Sequence, residues 1–371
     1  MTARRVAQLV TLFALTACGG NSPNPDVGTR GTGDEGGASS SGGAFDAAPG
    51  VPDASAGSDS NGGGAPEASP QNDANRGSII AAADGAGDAP TTPPWDGSAS
   101  TDATGPAGPA YAFPGALGFG RIATGGRGGT VVHVTNVSDT GPGSFRDAVS
   151  ATNRIVVFDV GGYIALNSPV SVSNNITIAG QTSPGDGVGF VGSEVSFSSH
   201  SNAIVRYVRF RQGCTTCTGS DPAFKRSGIN LAASSTMIFD HISIEFAQWN
   251  NLDSVGAMNV TVQYSIDANP IGQQFAAHTE GGPYTWYGNL FANAHNRCPL
   301  AKGNTQYANN VVYDYQAGYT AGNTAGTFSH DIVSNYFIAG PATSSPSNAF
   351  FQVSNQPIFS SGNYIDGNVD G

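Results

Sequence analysis

Gly288-Asn289-Leu290-Phe291 is followed by Asn309-Asn310-Val311-Val312, then Ser334-Asn335-Tyr336-Phe337, then Gly362-Asn363-Tyr364-Ile365. Each unit is a polar residue, an asparagine and two apolar residues. The asparagines lie 21, 25 and 28 residues apart. The same residue at the same place in units of unequal length points to turns that stack on one another. Equivalent positions would then sit one strand spacing apart, about 4.8 Å. A primary amide both donates and accepts, so stacked asparagines can hydrogen-bond up the column. Asparagine also tolerates the left-handed bend between two sheets. An up-and-down barrel has no reason to place one residue type at every equivalent turn.

Upstream and downstream, short β-rich runs recur every 20 to 35 residues or so. They are Ile155-Val156-Val157-Phe158, Ile176-Thr177-Ile178, Ile204-Val205-Arg206-Tyr207-Val208, Met237-Ile238-Phe239, Val260-Thr261-Val262, Tyr284-Thr285-Trp286, Gln306-Tyr307-Ala308, Phe328-Ser329-His330 and Pro357-Ile358-Phe359. No amphipathic helix of ordinary length lies between them, which excludes βαβ units. The fold class is all-β, a single-stranded parallel β-helix. Before its first coil, Ser144 is placed to cap a short helix that sets Phe145 and Val149 four residues apart. That helix would cover the open end of the solenoid.

The 371 residues carry a formal net charge of −12, and only 11% are charged. The 52 glycines suit short strands and polar turns rather than a helical bundle. The acidic balance argues against a nucleic-acid partner. At the amino terminus, Arg4 and Arg5 precede an apolar run, Val6 to Leu15, that is too short to span a bilayer. Leu15-Thr16-Ala17-Cys18 resembles a bacterial lipobox, so residues 1–17 read as a lipoprotein signal peptide with Cys18 as the lipidated residue. Gly19, not Asp, follows, which by analogy with bacterial lipoproteins favours the outer membrane or cell surface. Residues 18–108 are Gly, Ser, Pro and Asp-rich and read as a disordered tether. The chemistry is expected in a domain spanning 109–371, a monomer that meets the membrane only through its lipid.

Seven of the 15 lysines and arginines fall within one window of about a hundred residues: Arg206, Arg209, Arg211, Lys225, Arg226, Arg297 and Lys302. Concentrated cations in an acidic chain point to an anionic ligand. Arg297-Cys298-Pro299-Leu300-Ala301-Lys302-Gly303 lies between two strand-like runs, which makes Arg297 and Lys302 a fixed cationic pair. Cys214 and Cys217 flank two threonines in a loop, where a local disulfide is plausible outside the cytosol. Cys298 reads as a small buried residue.

An ordered set of motifs resembles bacterial pectate lyases. It comprises Ala112 to Gly120, Thr124-Gly125-Gly126-Arg127-Gly128-Gly129, Val134 to Asp139, Gly143 to Val149, Ile178 to Gly187, Arg206-Tyr207-Val208-Arg209-Phe210-Arg211 and Phe239-Asp240-His241. The match runs in order from Ala112 to at least Asn310. It implies a right-handed parallel β-helix and β-elimination of a uronate polysaccharide such as pectate. Arg297 and Lys302 match the family's Arg-x-Pro-Leu-x-(Lys/Arg)-Gly stretch, which implies Arg297 as base and Lys302 as the carboxylate or oxyanion partner. Arg209, Arg211, Lys225, Arg226 and His278 are the expected substrate-binding residues.

The chemistry can be rebuilt from the substrate. Cleaving a 4-linked galacturonan without water removes the C5 proton, α to a carboxylate. The site must neutralise that carboxylate and stabilise the enediolate that forms, using Arg and Lys or calcium. Two departures from the family pattern matter. No Lys or Arg lies between Arg226 and Arg297, which leaves His278 as the nearest cation candidate. Ser227 stands at the first family ligand position. Asp253, and more weakly Glu245, are the remaining candidate ligands for the Ca2+ that the resemblance implies. The alternative reading is a catalytically inactive glycan-binding β-helix. Hydrolysis of the polygalacturonase kind would need two or three clustered carboxylates, and none is legible beside Arg297.

Overall fold

The structure is a computed structural model that describes residues 110–214, 226–322, 326–352 and 356–368. Cys18, Cys217 and Lys225 lie outside the described residues. The described residues wind into a right-handed parallel β-solenoid of about 9 turns with almost no helix. Every strand pairing is parallel. Each full coil passes through three walls, here called faces 1, 2 and 3.

Face 2 takes the runs read from the sequence, with strands at Arg154–Phe158, Ile176–Ala179, Ser201–Arg206 and Ser235–Asp240. Face 3 is a separate sheet that includes Val208–Arg211, Ser243–Glu245, Ile266–Ala268 and Leu290–Ala292. Face 1 begins with two-residue strands at Val170–Ser171, Val195–Ser196 and Ile229–Asn230. It then merges with face 2 through three long strands: Asn250–Gln263, Phe275–Tyr287 and Leu300–Ala308.

Two boundaries differ from expectation. The run read as Ile204 to Val208 is cut at Tyr207, which adopts φ 56° and turns the chain from face 2 to face 3. The run read from Phe328 starts as a strand only at His330. Face 1 escaped detection because its early strands are too short to show alternation.

The asparagine column forms as expected. Asn289 donates its side-chain amide to Asn310 Oδ1 (3.0 Å), Asn310 to Asn335 (3.0 Å) and Asn335 to Asn363 (2.9 Å). Each of those acceptor oxygens also takes the backbone N–H of the asparagine one coil earlier, at 2.9 Å. The second amide hydrogen goes to a backbone carbonyl, as from Asn310 to Trp286 (3.1 Å). Asn289, Asn310 and Asn335 are buried, and a buried amide is tolerable only when its hydrogen bonds are made. The left-handed bend falls one residue earlier than expected, on Gly288, Asn309, Ser334 and Gly362. The asparagine itself is therefore selected for its amide rather than for its backbone freedom.

The short helix spans Phe145–Ala148, and Ser144 Oγ accepts from Asp147 N. Phe145 has no solvent exposure and packs at 4.0 Å (ring centroids) on Phe190, so the helix plugs the first coil. The preceding segment straps across face 2. Gly120 N donates to Thr261 Oγ1 and Leu117 N to Gln263 Oε1, both at 2.9 Å. A Cβ on Gly120 would meet Met237 O at 2.0 Å, so only glycine can lie this close to the sheet. Among the described residues, no helix is long and apolar enough to cross a membrane.

Candidate active site

Face 1 gathers the chemistry. Strand register stacks Asn230, Asp253, His278 and Leu300 on successive coils. It stacks Val255, Glu280 and Lys302 in a neighbouring column. Side chains in one column are about 4.8 Å apart along the axis. Residues distant in sequence thus meet on one wall.

Arg297 lies at the entry to this face, in the left-handed region (φ 63°). Its guanidinium carbon stands 3.8 Å from the centroid of the Phe275 ring. Its Nη1 donates to Asn250 Oδ1 at 3.0 Å. The Asn250 Nδ2 donates in turn to Asp253 Oδ1 (3.0 Å), which also meets His278 Nδ1 (3.0 Å). The direction of this relay follows from its ends, since a guanidinium only donates and a carboxylate only accepts. Burial holds the Arg297 pKa below the usual guanidinium range, and the negative charge of Asp253 acts in the opposite sense.

Lys302 Nζ is 3.6 Å from Glu280 Oε2. His278 Nε2 is 3.5 Å from the same oxygen, near enough for charge interaction but without a hydrogen bond, and it is buried. His278 therefore bridges two carboxylates instead of presenting a free nitrogen to the groove. Arg226 is exposed next to this wall. Its charge, with the Ser227 N–H, draws down the Glu194 carboxyl that burial pushes up.

Other expected residues lie elsewhere. Arg209 and Arg211 are on face 3, a different wall from Arg297 and Lys302. Arg209 is hydrogen-bonded to the carbonyl of Asp186. Arg211 bonds Ser243 and forms an ion pair with Glu245 at 2.8 Å. Glu245 is thereby committed on face 3, while Asp253 is on face 1, so the two expected metal ligands do not share a site. Their register explains the error: Glu245 pairs with Arg211 and Ala268, not with any residue of the Asp253 column. Cys214 is disulfide-bonded, and Cys298 is free and buried.

Two face 1 carboxylates, Glu194 and Glu280, were not legible in the sequence. Together with Asp253 they put three carboxylates on the wall that carries Arg297. Each is occupied: Glu194 by Ser227 N (3.3 Å), Asp253 by Asn250 and His278, and Glu280 by Lys302. The only available signal for Glu194 was its spacing, one coil before the Ser227 position.

The donor set does not fit a resident calcium ion, which takes six to eight oxygens, about, in its shell. Among the described residues, no group of three or more His, Cys, Asp or Glu is arranged to hold a metal. Asp253 Oδ1 is already shared by two partners, and Glu194 is buried behind the Ser227 backbone.

No protein-family profile matches the chain. Sequence relatives do. Probable pectate lyase C of Aspergillus terreus is 44% identical over 242 residues, which cover 63% of this chain and 55% of that protein. Probable pectate lyase C of Emericella nidulans is 46% identical over 237 residues, 63% of this chain and 54% of that protein. The chain thus spans about half the length of the curated relatives it matches, and these relatives are fungal where the motifs pointed to bacterial ones. Among solved structures, the major allergen from cedar pollen aligns with a TM-score of 0.52 at 18% identity, over 68% of this chain and 82% of that one. A pectate lyase bound to a hexasaccharide aligns with a TM-score of 0.52 at 14% identity, over 68% and 87%. At such identities the structural likeness concerns the fold. The stacked coils and the fungal relatives agree: over the matched residues the chain is similar to pectate lyases, and it shares the parallel β-helix fold of the solved structures.

Proposed function

We propose that this protein is a polysaccharide lyase that cleaves pectate or a related polyuronate by β-elimination. The observation that carries the reading is the half-buried guanidinium of Arg297, on the same wall as Lys302 and beside Asp253. In β-elimination the C5–H bond breaks as its electron pair forms the C4=C5 double bond, and the C4–O bond breaks with its pair leaving on the sugar oxygen, which takes a proton from solvent. Arg297 takes the C5 proton. Lys302 and Arg226 face the substrate carboxylate and the negative charge that grows on it.

A guanidinium is ordinarily protonated at any accessible pH. Burial of the guanidinium lowers its proton affinity, which is the direction a base requires. Activity should therefore rise with pH through the alkaline range. No step is assigned to calcium, because the donor set does not suit it.

The test is unsaturated-product absorbance on polygalacturonate for wild type and Arg297→Ala. Absorbance growth in the wild type and its loss in the variant support the reading. A wild type that binds polygalacturonate without turnover would select the glycan-binding alternative. On the amino-terminal sequence, the same proposal has a monomer tethered by lipid on Cys18 at the outer membrane or cell surface. Labelling with a radioactive fatty acid, lost in Cys18→Ala, checks the anchor.

A further inference from the structure

Arg297 is held by two contacts from coils other than its own. Phe275 presents its ring face to the guanidinium at 3.8 Å. Asn250, fully buried, accepts from Nη1 at 3.0 Å. The Phe275 ring is itself set by Trp249 on the preceding coil, in an edge-on contact at 6.1 Å and 82°. Strand pairing puts Asn250 against Phe275, and Phe275 against Asn296, the neighbour of Arg297. One contact is apolar and shields a face from water. The other is neutral and polar, and fixes the orientation of the plane without adding a counter-charge.

A carboxylate in either place would stabilise the cation and oppose proton uptake. The chain has carboxylates within reach of this wall, yet each is engaged by another partner, as described for Asp253 and Glu280. The geometry points to Phe275 and Asn250 as positioning residues for Arg297: the ring keeps one guanidinium face dry and the amide sets its angle over the groove. This rests on Arg297 being the proton-abstracting group. It adds to that reading how the chain supplies the environment when the preceding coil offers no lysine.

The experiment compares wild type, Phe275→Leu and Phe275→Tyr as full-length protein on polygalacturonate. Loss of the ring that shields and orients the base misplaces a reacting group, so Phe275→Leu should lower kcat about 10-fold with KM changed by less than about twofold. Phe275→Tyr, which keeps a ring face, should retain most of kcat. An unchanged kcat in Phe275→Leu, or a change in KM alone, overturns the proposal. Thermal melting shows whether the variant folds, and Phe275→Met replaces it if it does not.

A second readout does not depend on turnover. Modification of Arg297 by an arginine-selective dicarbonyl, followed by mass spectrometry, reports access to the guanidinium, with exposed Arg226 as internal reference. Phe275→Leu should accelerate modification of Arg297 relative to Arg226. Equal relative rates in wild type and variant overturn the proposal. If the wild type proves inactive, the lyase reading fails while this second measurement still decides whether Phe275 holds Arg297.

Discussion

Arg297 and Asn250 are 47 residues apart in the chain and 3.0 Å apart in space. Two coils of the solenoid separate them, and the bond closes over the intervening Phe275. Through Asp253 the same network reaches His278. The candidate site is therefore one connected unit, built from three successive strands of face 1.

Removing the base should remove the reaction. Arg297→Ala and Arg297→Lys are expected to lower kcat by about 100-fold or more, as for loss of a general base. Folding, followed by far-ultraviolet circular dichroism, should be unaffected, because the side chain is only half-buried. Retained activity in either variant removes Arg297 from the mechanism.

Lys302 and Glu280 should act in opposite directions. Lys302→Ala is expected to lower kcat by about 100-fold, the scale seen for loss of one transition-state donor. Glu280→Gln frees Lys302 from a partner that is itself part-exposed, so its effect is small. KM for polygalacturonate should fall by about two- to threefold, the scale of a surface ion pair. A rise in KM in Glu280→Gln would mean that Glu280 itself contacts the substrate.

Chelation tests the donor set. With one free carboxylate oxygen on Asp253 and none on Glu245, activity after treatment with excess chelator should stay within about threefold of the untreated protein. Full loss that calcium restores would show that substrate carboxylates complete a shell the protein begins.

Asp267 links stability to pH. It is fully buried, with one carboxyl oxygen bonded by Asn251 (2.7 Å) and the other without a partner. Burial pushes its pKa up to about 8 from the ordinary 3.8. The folded state thus keeps a proton that the unfolded chain loses near pH 4. The stabilising effect is complete below that pH and is lost as pH rises towards about 8, by at most about 1.4 kcal/mol per unit. Asp267→Asn should flatten this slope in chemical denaturation between pH 5 and 8, taken as roughly three units. An unchanged slope would assign the pH dependence to other groups.

The asparagine column should be worth more at its centre than at its end. Asn310→Ala leaves the backbone N–H and the side-chain amide of Asn289 without their acceptor, at about 3 kcal/mol for two buried groups. Asn363→Ala should cost less, about 1 kcal/mol, because its rung is part-exposed. Equal losses in urea titrations of the two variants would rule out burial as the origin of the effect.

Much of the coil is legible in the sequence. The asparagine units mark a corner, and an amide at a stacked corner has one way to satisfy itself. The face 2 strands are long enough to show β-branched runs, and Ser144 announces the helix that Phe145 drives into the open end. Arg297 and Lys302 were legible as a pair because five residues of chain, in one strand and its entry, keep them together. Face 1 before Asn250 was not legible, because a two-residue strand carries no periodicity.

What the chain by itself determined is the repeat, its all-β character, its cap and the local cationic pair, since these rest on contacts near in sequence or on a residue type repeated at each rung. Only the tertiary structure decided which charges share a wall. Arg211 and Glu245 look like site residues until register puts them together on face 3, and Glu194 and Glu280 look incidental until register puts them on face 1. The physical reason is that coils of unequal length are aligned by strand pairing, and a slip of one residue turns a side chain to the opposite side of its sheet.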